Sequence, residues 1–154
     1  MSLYAVGVDL GTMQNAGAVP TIVRKTVTFV AGTTGATTTH ALFTVTGAVR
    51  VVQLSALCTV SLTVGGSTTL TVGNATDTAM YLDGTDSPID LTDVDAGTYL
   101  LATDIVASQS TAITTVFTVE NITYTVGTST ITGGALQFIC EYIPLSAGAS
   151  VVAA

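Results

Sequence analysis

His40 is the sole histidine of this 154-residue chain, and Cys58 and Cys140 are its two cysteines. Zinc chemistry needs several such groups at ligand spacing, and a nucleophile needs a base beside it. Here the three are scattered. His40 stands at a loop-to-strand junction with no second His or Cys nearby, which reads as a rim residue. Cys58 and Cys140 fall inside strand-like runs, which reads as two buried, reduced thiols rather than a disulfide. Ser, His and Asp all occur, but the nucleophile elbow G-x-S-x-G does not. Glu120 and Glu141 could face one another across neighbouring strands as a glycosidase pair would; two rim carboxylates is the simpler reading. Seven of the eight aspartates lie between Asp77 and Asp104. Asp93 and Asp95 with Asp90, or Asp83 with Asp86, could offer hard oxygens to calcium. Their spacing does not follow D-x-[DN]-x-[DN]-G, and no Glu closes a loop, so the segment reads as an exposed run of turn formers. No residue set gives a positive reason to expect an enzyme, and no metal or cofactor is expected.

The elements that would carry these residues are strands. The chain holds 31 threonines and 20 valines, both β-branched and suited to a pleated surface. Thr59–Val72 reads TVSLTV-GG-STTLTV. Val60, Leu62 and Val64 alternate with hydroxyl residues, as do Leu70 and Val72 beyond Gly65-Gly66. Period-two alternation puts aliphatics on one face and hydroxyls on the other, and paired glycines suit a tight hairpin turn. The sequence therefore predicts a hairpin here. Further strands are expected at Thr21–Val30, His40–Thr46, Ala48–Cys58, Ala79–Leu82, Tyr99–Val106, Ile113–Val119, Ile122–Val126 and Ala135–Ile143, with Gly127–Gly134 a turn and Pro144 ending the last strand. Eight to ten strands without a helix predict an all-β, two-sheet β-sandwich or jelly-roll-like domain. Residues 1–20 form an expected extended N-terminal arm, 21–144 the sandwich with an acidic loop at 83–97, and 145–154 a C-terminal tail. Within the arm, Val8-Asp9-Leu10-Gly11-Thr12 resembles the first phosphate loop of actin-like and sugar-kinase ATPases. That match is five residues long, no second phosphate loop follows, and the chain is too short for their paired domains; it reads as coincidence.

Charged residues are 8% of the chain, against about 25% in an average soluble domain. A Thr-rich surface with so few charges is explained if partner subunits cover much of it. The net charge of −7, with Arg24, Lys25 and Arg50 the sole bases, argues against nucleic acid, which needs cations to displace counterions. No run of 18 apolar residues occurs, and the N-terminus lacks a basic region, so neither a membrane helix nor a secretory signal is expected.

Toward the C-terminus, Ile122–Thr128, then Thr132-Gly133-Gly134-Ala135, then Tyr142-Ile143-Pro144-Leu145-Ser146 and Val151-Val152-Ala153-Ala154 resemble small structural proteins of tailed bacteriophages. Lys25–Phe29 and Leu42–Gly47 resemble the start of the same group, so the likeness runs from Lys25 to Ala154. It is a series of weak matches rather than one diagnostic motif. It implies a head decoration (cement) protein, a β-rich homotrimer on the outer capsid that braces neighbouring capsomers. Its implied partners are the major capsid protein and its own copies, with no nucleic acid and no membrane. Its implied location is the virion, after assembly in the host cytoplasm. On this reading the docking residues are Tyr4, Val6, Val8 and Leu10 of the arm and Leu145, Val151 and Val152 of the tail. A tail or fibre component, or a carbohydrate- or calcium-binding β-sandwich module, is the alternative.

Overall fold

The computed structural model describes residues 19–81, 91, 94–101 and 116–154. These fold into nine strands: β1 (Thr21–Thr28), β2 (Thr39–Thr46), β3 (Val49–Val64), β4 (Thr69–Gly73), β5 (Tyr99–Leu101), β6 (Val116–Thr118), β7 (Ile122–Gly127), β8 (Ile131–Pro144) and β9 (Ser150–Ala153). They make two antiparallel sheets. Sheet A has the order β1-β8-β3-β5, with β6 also on β3, and sheet B has the order β4-β7-β2-β9. The protein is an all-β two-sheet sandwich.

The pairing is nested: β1 with β8, β2 with β7, and β3 with β6. Folding one long antiparallel ribbon over itself gives this order, and it is the jelly-roll wind. β5 and β6 lie end to end on one edge of β3, at Ser55–Leu57 and Val49–Val51 respectively. β9 adds a strand outside the nested set by pairing with β2.

Period two explains which residues face inward. In β7, Ile122, Tyr124 and Val126 are buried while Thr123 and Thr125 are half-buried on the other face. In β8, Leu136, Phe138, Cys140 and Tyr142 point into the core. Its centre is aromatic: Tyr124 meets Phe29 edge-on at 6.1 Å and stacks with Phe138 at 6.0 Å. Each large side chain so buried contributes about 1.5–3 kcal/mol. At one rim, Lys25 spans the two sheets: its Nζ donates to the main-chain oxygens of Ala41 at 2.9 Å and Ala154 at 2.8 Å.

Three expectations need correction. The Thr59–Val72 stretch is not a hairpin. β3 pairs with β8, β5 and β6 in sheet A, whereas β4 pairs with β7 in sheet B, so the intervening Gly65-Gly66 is a corner between sheets. Gly66 does take positive φ (81°) there. Within β3, register shifts on both sides of Val60 turn it outward, to 55% exposed, while Leu62 stays buried. Residues 79–81, expected to begin a strand, form a turn and bend, although the Tyr81 N–H still donates to Val72 O at 2.8 Å. The expected turn over Gly127–Gly134 is shorter, because β8 begins at Ile131 and runs through Gly133-Gly134. Within the C-terminal segment 145–154, Ser150–Ala153 is a strand of sheet B.

Candidate functional site

Sheet B has a distinctive outer face. None of β2, β4, β7 or β9 contains Asp, Glu, Lys or Arg. Strand alternation and register place Thr71, Thr125 and Thr39 in one row across three strands. The next row is Gly73, Thr123 and Ala41, and Thr44 lies opposite Val152 beyond the β2 bulge. Thr39 and Thr125 join through their hydroxyls at 2.9 Å. A hydroxyl can donate and accept, so such a wall can satisfy a partner's polar groups without removing any charge from water.

The expected docking residues divide on this face. Val152 is 51% exposed and sits on it, whereas its neighbour Val151 is 3% exposed and fills the core. Opposite directions for adjacent residues are what a strand imposes. Leu145, 43% exposed, lies in the link from β8 to β9, with its N–H held by Ala48 O. Tyr4, Val6, Val8 and Leu10, with the phosphate-loop-like Val8–Thr12, lie outside the described residues.

The chemistry-bearing residues have structural partners. His40 stacks on Tyr124 at 4.8 Å, with Nε2 3.2 Å from Ala36 O. The Tyr124 hydroxyl donates to Thr34 O at 2.9 Å, and burial pushes its pKa up to about 12. Cys58 and Cys140 are free and buried. Desolvation raises the Cys140 thiol to about 12, reinforced by the Glu141 charge, and burial raises Cys58 too. Neither is poised as a thiolate nucleophile at neutral pH. Glu120 and Glu141 are not opposite each other. Glu120 accepts from the Thr76 N–H and hydroxyl at 3.1 and 2.8 Å, tying down the turn after β4, while Glu141 in β8 pairs with Ile22 and Gln53. Of the acidic loop, Leu91 and Val94 are buried and Asp95–Thr98 closes a turn; residues 82–90 and 92–93 lie outside the described set. Among the described residues no group of three or more His, Cys, Asp or Glu side chains converges on a metal-sized site.

The outer face of sheet A differs. A groove of about 210 Å³ opens there, lined by Arg24 of β1, Glu141 of β8, Gln53 and Ser55 of β3 and Tyr99 of β5, with two isoleucines between them. Ser55 is 3% exposed, and among the described residues its hydroxyl has a single contact, at 3.5 Å, to the Tyr99 hydroxyl. In the sequence Glu141 stands out only as a partner for Glu120, and Arg24 only as one of three bases; nothing there brings these residues together, because the groove exists only once β1, β8, β3 and β5 lie side by side. Comparison with known proteins gives no match to a family model, to a curated protein or to a solved structure.

Proposed function

We propose that this chain is a structural virion protein, a decoration (cement) protein that forms a homo-oligomer, a trimer, on the outer surface of a phage head and braces neighbouring capsomers. One observation carries the reading: the outer face of sheet B is free of charge across all four strands and offers threonine hydroxyls and Val152 instead. An isolated soluble domain normally keeps charges of both signs over its surface. A face without them costs little to cover, since no ion loses its hydration. The resemblance of Lys25–Ala154 to phage structural proteins supports taking the major capsid protein and further copies of this chain as the partners. Symmetric repetition then lets many modest contacts act together. The role requires no catalytic group and no cofactor.

The test is light scattering on the purified chain, followed by co-sedimentation with capsids that lack it. A compact trimer that pellets with heads is the expected result, and deleting residues 1–20 should abolish pelleting while leaving the oligomer folded. A monomer that stays in the supernatant overturns the proposal. Pelleting with tails instead of heads would reassign the protein to the tail or fibre.

A further inference from the structure

We infer that the groove on the outer face of sheet A is a binding site for a single neutral sugar ring, the terminal or exposed unit of a glycan. The inference does not rest on the decoration role and concerns the opposite side of the sandwich.

The size comes first. About 210 Å³ is below the roughly 300–1,000 Å³ of sites that enclose a drug-sized molecule, and suits one six-membered ring with its substituents. The lining then selects the chemistry. Ile22 pairs with Glu141 and Arg24 with Ile139, so Arg24 and Glu141 take diagonal positions on one face, within reach for side chains of their length. A guanidinium beside a carboxylate leaves little net charge. A phosphate or carboxylate ligand would meet Glu141, and a metal cation would meet Arg24. A polyol meets neither penalty. Adjacent ring hydroxyls each donate and accept, and they match a guanidinium that offers two parallel N–H groups, a carboxylate that accepts two bonds and the Gln53 amide that does both. Tyr99 is half exposed at the groove wall, and its ring can cover the C–H face of a pyranose while its hydroxyl stays wet.

The floor supplies an independent sign. A buried hydroxyl ordinarily has a good partner, yet Ser55, 97% buried and lining the groove, has among the described residues one contact, at the 3.5 Å limit. A sugar hydroxyl seated beside it would complete that bond. An added peptide strand is not the occupant, because strand addition needs an open edge. The floor strand β8 is already paired on both sides, by β1 and β3.

The experiment is amide-resolved NMR titration of the full chain with D-glucose, D-galactose, D-mannose and N-acetyl-D-glucosamine as methyl glycosides. Inorganic phosphate and calcium chloride serve as separate arms. Saturable shifts at Gln53, Ser55 and Tyr99, with a Kd of about 1–10 mM for at least one glycoside, are expected for one small ring. Arg24 is exposed and Tyr99 half exposed, so R24A and Y99A should keep the native spectrum elsewhere and weaken binding about tenfold or more. Silence toward all four glycosides overturns the inference. So do equal affinities in the variants, or saturation of the same amides by phosphate or calcium rather than by sugar.

Discussion

Replacing Val152 with Asp separates a face that is covered in the assembly from one that merely happens to lack charge. In the lone chain the change should matter little. Val152 is 51% exposed on β9 and lies opposite Thr44, so a carboxylate there reaches water. The expected loss of stability is under about 1 kcal/mol, combining the small effect of surface changes with the poor fit of Asp in strands. In an assembly that covers sheet B the same carboxylate is buried, and no Lys or Arg in the four strands can pair with it. An uncompensated buried charge costs about 3–5 kcal/mol, which is roughly a 150- to 5,000-fold rise in the dissociation constant. Val152→Thr is the control: it keeps the strand propensity and the absence of charge, and should associate within a few-fold of the unmodified chain. Light scattering over a range of concentrations, with co-sedimentation at low and high salt, reads the difference. The unmodified contact should be nearly insensitive to salt, because no exposed ion pair is there to be screened. A V152D chain that self-associates and pellets with capsids like the unmodified one would refute the assignment of this face.

Three further outcomes follow from the interior and its turns. Alkaline pH should destabilise the fold from about pH 9 upward: the Cys140 thiol and Tyr124 phenol are raised to about 12 by burial, so the unfolded chain loses these protons first and stability falls until the folded groups ionise. Between pH 9 and 11 the Cys140 share is at most about 2–3 kcal/mol, and C140A should flatten that slope in thermal melts; an unchanged slope would locate the sensitivity elsewhere. Gly35→Ala should cost more than about 3 kcal/mol and show as a large fall in Tm, because an added Cβ would collide with the carbonyl oxygen of Ile131, and the Ile131 N–H already donates to Gly35 O at 3.0 Å; a native-like Tm would disprove that close approach. Thr128, a β-branched residue at φ 64° in the turn after β7, should accept glycine with a gain of about 1 kcal/mol, the relieved strain exceeding the added chain entropy. A T128G melt below that of the unmodified chain contradicts the strain.

The class of fold was legible because it rests on composition and alternation. β1, β2 and β7 start within one residue of where their Val, Ile, Phe and Thr patterns begin, and Pro144 closes β8 as its missing N–H requires. What alternation cannot say is which strand pairs with which. Thr59–Val72 has the pattern of a hairpin, yet strand length decides against it. The 16-residue β3 could use only five of its residues on β4, whereas β8 offers 14. That length was hidden, because Gly133-Gly134 looks like part of a turn. Gly134 takes φ 99° inside the strand, an irregularity that lets β8 continue rather than stop. The two glycine pairs thus have opposite effects on the chain, one ending a strand and the other bending it. Only the partner strand distinguishes them.

The same limit governs the site. The scarcity of charge is a property of the sequence, but a face is a property of register. Thr71, Thr125 and Thr39 are 32 to 86 residues apart and become one row only when β4, β7 and β2 align. The tail shows the cost of reasoning without that alignment. Val151 and Val152 have the same chemistry and adjacent positions, so sequence offers no ground for choosing between them; pairing of β9 with β2 sends one into the core and leaves the other on the charge-free face. A one-residue slip of β9 would exchange their roles, and the bonds from Lys25 Nζ to Ala41 O and Ala154 O oppose such a slip by tying the end of β9 to the sheet beside it. The ladder with β2 and the bond from the Ala154 N–H to Leu42 O hold the same register, so a cation on β1, in the other sheet and far away in sequence, reinforces the choice of which valine faces outward.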